Sequence, residues 1–210
     1  MIDAYRKMAA ALLPANPPYV LGSPPWPVAG GGDAYAVPCP TSAMRDFLEA
    51  EGLWRGWHTV IAFAKTIRDS GEARGLFIHE LGHLAHVKPR AAWVGDVPHF
   101  AAEAAFESSL TMIEGRFESE PLWIEHEHEF IRDVLHLHFR AVELGWSVKW
   151  SELSICGPRY GLSNVLDYVE ALNYEPVMLR DKTLAEIREI EPPEAFMSLW
   201  LSDTAPRTSR

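Results

Sequence analysis

Between residues 1 and 13 the apolar positions Tyr5, Met8, Leu12 and Leu13 recur at helical spacing and Pro14 ends the run, which predicts a short amphipathic helix. From Pro14 to Pro40 that period vanishes. Pro24-Pro25-Trp26-Pro27 and Gly30-Gly31-Gly32 cannot sustain a regular helix, so this stretch is expected as an extended arm lying over the domain. Helical periodicity returns at Thr41-Ser42 and runs to about Leu53, with Met44, Phe47 and Leu48 facing inward. Thr59-Val60-Ile61-Ala62-Phe63-Ala64 is β-branched and aromatic, the pattern of a strand, and Asp69-Ser70-Gly71 reads as a turn. The segment from about Glu72 to Val87, closed by Pro89, is apolar on most sides (Leu76, Phe77, Ile78, Leu81, Leu84, Ala85, Val87), which predicts a buried helix. Further helices are expected over Phe100–Ile113, over 125–144 with Gly145 as the stop, over Leu162–Leu172, and over Leu184–Leu201 with a break at Pro192-Pro193. One strand among so many helices makes this an α+β, predominantly helical chain with a small sheet.

Composition narrows the partners. The 210 residues are 48 % apolar and 23 % charged, the balance of a globular domain long enough to bury a core. A net charge of −10 without any Lys/Arg-rich run excludes nucleic acid and anionic membrane surfaces, since phosphate binding needs clustered cations. No run of about 18 apolar residues could span a bilayer. Asp3, Arg6 and Lys7 interrupt the one stretch that could have served as a signal segment. Two cysteines, Cys39 and Cys156, make no disulfide framework; they are expected as idle thiols in a reducing compartment, which places the chain in the cytoplasm.

Candidate chemistry centres on His79-Glu80-Leu81-Gly82-His83. Histidines four apart on a helix share a face, so both imidazoles can reach one divalent ion. Glu80 stands roughly 100° around the helix from His79, near an ion without being forced onto it, where a general base toward water must be. Strand, turn and buried helix are the context that such a motif requires. On these residues the chain resembles the zincin superfamily of metallopeptidases, strongly over 59–87 and weakly elsewhere. The resemblance implies Zn²⁺ on His79 and His83, Glu80 as general base and acid, and a peptide or protein substrate paired along the strand at 59–64. It divides the chain into an N-terminal helix and arm, 1–40, packing on a zincin-like metal-binding domain, 41–205.

Two histidines do not complete a zinc site. His86 continues the helix face, but a straight helix cannot wrap three ligands around one tetrahedral ion. The metzincin pattern needs Gly and His where His86 and Pro89 stand, which excludes that subclass. Glu103 lies twenty residues after His83 with Glu107 one turn later, the spacing by which thermolysin-like gluzincins place a ligand carboxylate and its orienting partner. That family's Asn before the glutamate is Ala102 here. His126, with Phe130 four residues on, resembles the His-Gly-x-x-Phe element of SprT-like zincins, whose His is the third ligand; Glu127 replaces the Gly. His126, Phe130, Val134 and Leu137 fall on one helical face, so His126 is the favoured third ligand, Glu103 the alternative, and His128 a rival on a wetter face through Arg132. A basic DNA-binding surface and a zinc ribbon are both absent, so the DNA-repair role of SprT-like enzymes does not carry over.

His136 and His138 read as solvated or capped side chains, and His99 as a loop residue. Tyr160 is a candidate oxyanion donor or a loop aromatic packing on the core. The expected function is a zinc-dependent peptidase. The rival readings are a non-catalytic zincin-like scaffold with a structural metal, and another metal-dependent amide hydrolase of the deformylase kind, to which Ile155-Cys156-Gly157 is a poor match.

Overall fold

A computed structural model describes residues 1–15, 17–22, 34–37, 42–54, 59–64, 68–85, 111–113, 116–118, 127–158 and 160–205. The chain is mostly helical with a small sheet, hence α+β, and divides into two compact units, Met1–Arg68 with His83–Ile124 and Asp69–Gly82 with Glu125–Arg210.

In the first unit helix α1 (Ile2–Leu12) buries Tyr5, Met8, Ala9 and Leu12, the stripe that its periodicity predicts. Strands β1 (Tyr19–Gly22), β2 (Ala34–Val37) and β3 (Val60–Phe63) form one sheet in the order β1-β3-β2. Tyr19 pairs with Val60 in parallel, and Ala34 with Phe63 antiparallel. All four residues of β3 are buried, because each of its faces is covered. Leu48 of helix α2 (Ser42–Ala50) packs on Leu21, Val60 and Ala62. On the opposite face the Tyr5 ring meets Phe63 edge-on, with centroids 5.0 Å apart.

Four expectations are corrected here. The arm at 14–40 is not merely laid over the domain: two of its segments become edge strands on β3. Consequently β3 has both edges occupied and offers none to a substrate backbone. The helix expected over Phe100–Ile113 is not one at its end, where β4 (Thr111–Ile113) pairs antiparallel with β5 (Arg116–Glu118), Met112 opposite Phe117; residues 100–110 lie outside the described ones. Helix α2 stops three residues early, at a Schellman motif in which Gly52, at φ 67, lets Leu53 N–H reach Leu48 O at 2.8 Å.

Helix α3 (Gly71–Ala85) carries the motif, its residues 71–82 in the second unit and 83–85 in the first. Ser70 Oγ caps it by accepting from Ala73 N at 3.1 Å. Helix α4 (His128–Glu143) ends as expected at Gly145, φ 91, with Trp146 N–H on Ala141 O at 2.9 Å. It is enclosed all round over its middle. Every residue from Phe130 to His138 is buried, so the wet face expected through Arg132 does not exist. Arg132 instead pairs with Glu175 and donates to Ile190 O at 2.7 Å, and Asp133 pairs with Arg188. A 3₁₀ turn (Trp150–Glu152) and helices α5 (Val165–Ala171), α6 (Glu175–Met178), α7 (Leu184–Arg188) and α8 (Glu194–Thr204) complete the unit. The break at Pro192-Pro193 falls between α7 and α8, where the periodicity put it. Asp203 ties α8 back by accepting from Ser163 N, Ser163 Oγ and Tyr168 Oη at 2.6–2.8 Å.

Candidate metal centre

His79, Glu80 and His83 are all on α3 and all less than a tenth exposed, at 6, 7 and 9 %. Three polar side chains buried within two turns of one helix depart from the usual core, which takes such groups only when they are partnered. The helix itself sets the two histidines one turn apart on one face. Gly82 gives room to two side chains of α4, Val134 and Phe130, which a Cβ there would strike. Phe130 turns its ring edge-on to His79, centroids 5.3 Å apart at 75°.

The hydrogen bond of His79 bears most directly on a metal. Its Nδ1 lies 3.0 Å from Leu153 O in the interior. A carbonyl only accepts, so Nδ1 carries a proton, and in the neutral form of the ring the lone pair is at Nε2. Metal-binding histidines are oriented by a partner of this kind, so His79 is held as a zinc-binding histidine would be.

Of the candidates for the third ligand, His126, Glu103, Glu107 and His86 lie outside the described residues, as do His99 and Cys39. Among the described residues no three His, Cys, Asp or Glu side chains converge so as to hold a metal ion. His128, first residue of α4, sits 6.0 Å from the Trp200 ring with its Nδ1 buried.

Of the two readings for His136 and His138, solvated or capped, burial removes the first. His136 and His138 are 4 and 3 % exposed, not solvated. His138 is capped, Nε2 donating to Val148 O at 2.9 Å, and its ring lies 3.7 Å from that of Trp150; burial lowers its pKa. His136 is held down to about 4, chiefly by burial and then by the nearby Arg140 charge. Tyr160 stands half-buried in the turn between Gly157 and Leu162. Burial, with Asp203 and Asp167 adding negative charge, pushes the Cys156 thiol up to about 12, so it is protonated at neutral pH and a poor metal ligand.

Sequence reasoning missed the Leu153 carbonyl, which is 74 residues from His79 and carries no side-chain signature. The usable signal was Gly71 and Gly75, spaced by four ahead of His79. Comparison with protein-family models, curated proteins and solved structures found no match for this chain.

Proposed function

We propose that the chain is a zinc-dependent peptidase with a zincin-like fold, acting on a peptide or protein substrate in the cytoplasm. The observation that carries this reading is the Nδ1–H···O=C bond from His79 to Leu153, which fixes the ligating nitrogen of the first histidine in a buried H-E-x-x-H helix. His79 and His83 would hold the ion, with His126 as third ligand and Glu103 as its alternative. Zinc bound there supplies a Lewis acid that activates water and polarises an amide carbonyl. Glu80 takes the proton from the attacking water and returns it to the leaving amine. No helix among the described residues is long and apolar enough to cross a membrane.

The test is metal content followed by proteolysis. The purified protein is expected to carry about one zinc per chain, since three protein ligands bind tightly. Glu80→Gln should keep the metal and the fold while abolishing cleavage of a casein or peptide-library substrate. Zinc bound with no cleavage in either protein would leave a structural metal, and a chain that takes up no zinc on titration would end the reading.

A further inference from the structure

Gly71, Gly75 and His79 stand four residues apart on α3 and therefore form one stripe along the helix. The segment Lys149–Ser154 runs against that stripe. The Glu152 side chain rests where a Cβ on Gly71 would be, and the Glu152 main-chain carbonyl rests where a Cβ on Gly75 would be. The next carbonyl along, Leu153 O, then meets His79 Nδ1 at 3.0 Å. The two glycines are thus what lets the segment lie close enough for its next carbonyl to reach the histidine.

The segment is also braced by its own hydrogen bonds. Lys149 N–H donates to Glu152 Oε2 at 2.5 Å, Glu152 N–H to Lys149 O at 3.0 Å, and Leu153 N–H to Trp150 O at 3.2 Å. Leu153 is fully buried. Ser154 turns away at φ 56, a left-handed conformation that a serine keeps only where its surroundings over-determine it. Packing, hydrogen bonds and strain all serve to aim one carbonyl.

We propose that Gly71, Gly75 and the segment Lys149–Ser154 form a tautomer clamp that holds His79 with its proton on Nδ1 and presents Nε2 to the metal. Either nitrogen of a neutral imidazole can carry the proton, and a proton on Nε2 blocks ligation. Leu153 is a positioning residue that acts through its backbone. The clamp is a property of the metal-free chain; only the identity of what Nε2 binds rests on the zinc-peptidase reading.

The experiment uses the full chain, ¹⁵N-labelled at histidine and stripped of metal. Long-range ¹H–¹⁵N correlation reads each ring's tautomer, and loss of one signal in His79→Gln assigns His79. Wild type is expected to show His79 solely as the Nδ1–H tautomer. Gly75→Ala sets a Cβ against main chain that cannot swing aside, so both tautomers should appear and zinc affinity, by chelator competition, should fall roughly 10–100-fold. Gly71→Ala opposes the end of the Glu152 side chain, which can swing aside only by giving up its bond from Lys149 N–H, and should shift tautomer and affinity in the same direction as Gly75→Ala but by less. A wild-type His79 protonated on Nε2 overturns the clamp, whether or not Gly75→Ala folds. So does a folded Gly75→Ala with unchanged tautomer, or with a changed tautomer and unchanged affinity. Wild type with the expected tautomer but no zinc uptake would end the peptidase reading while the clamp stands.

Discussion

Gly82 shows how little room surrounds the motif. Its Cα faces Val134 and Phe130, and an added Cβ would lie 2.9 Å from Phe130 Cε2 and nearer still to Val134 Cγ2. Alanine in a helix interior ordinarily gains about 1 kcal/mol over glycine, but overpacking a filled core costs about 1–3 kcal/mol. Gly82→Ala is therefore expected to destabilise by about 1–2 kcal/mol and, by pushing Phe130, to disturb His79; urea midpoints at constant m-value measure it. The residue scale also holds the third-ligand question. His126→Ala is expected to strip zinc at micromolar metal as His79→Ala does, whereas Glu103→Ala keeps it with at most the roughly 10–100-fold loss of an orienting partner. Chelator titration of the three variants, each shown folded by circular dichroism, decides; the reverse order installs Glu103 as ligand. His79, Glu80 and His83 were legible in the sequence because a helix makes their spacing a geometry. The Leu153 carbonyl was not, because a backbone acceptor from a distant turn leaves no residue type to read.

Among the elements, those with long periods were the ones the sequence announced. Helices α1, α3, α4 and α8 lie within or close to their expected spans, α1 and α4 by their helical period, α3 and α8 as long apolar runs bounded by Gly or Pro. The strands β1 and β2, four residues each, are too short and too close to Pro and Gly to show alternation; only pairing with β3 makes them strands. Helix α4 failed differently. Its Arg132 read as part of a wetter face, yet Arg132 and the neighbouring Asp133 are each buried against a counter-charge brought in by α6 or α7. Buried pairs are costly to break, because the surviving partner keeps its desolvation penalty. Arg132→Ala leaves Glu175, 9 % exposed, without its cation and is expected to cost about 3–5 kcal/mol. The double variant Arg132→Met/Glu175→Leu should recover most of that loss, since two apolar side chains of similar volume carry no unpaired charge. Chemical denaturation of the single and double variants tests the pair; equal stability of Arg132→Ala and wild type would remove it from the account of α4.

At the scale of the whole molecule, pH reports on how α4 is enclosed. His136 is buried against Arg140 and Arg132 and is held down to about 4, with Asp133 and a hydrogen bond to the Lys182 carbonyl opposing the shift. In the unfolded chain the same imidazole titrates near 6.5. Between those values the unfolded state binds a proton that the folded state refuses, so stability rises with pH across the window and is lost as pH falls from about 6.5 toward 4. Below about 4 both states are protonated and the loss stops growing. A shift of this size corresponds to a loss on the order of 3 kcal/mol at the acid end. His138, also lowered by burial, acts with the same sign. The measurement is urea denaturation of the metal-free protein at several pH values from 7 to 4, which keeps ligand competition at zinc out of the curve. His136→Gln cannot take the proton in either state but can still donate to the Lys182 carbonyl. It should flatten the decline while leaving the contributions of the other histidines and the carboxylates common to both proteins. The difference between the two curves is thus the signature of His136 alone, and curves that run parallel from pH 7 to 4 would show that its burial carries no proton linkage.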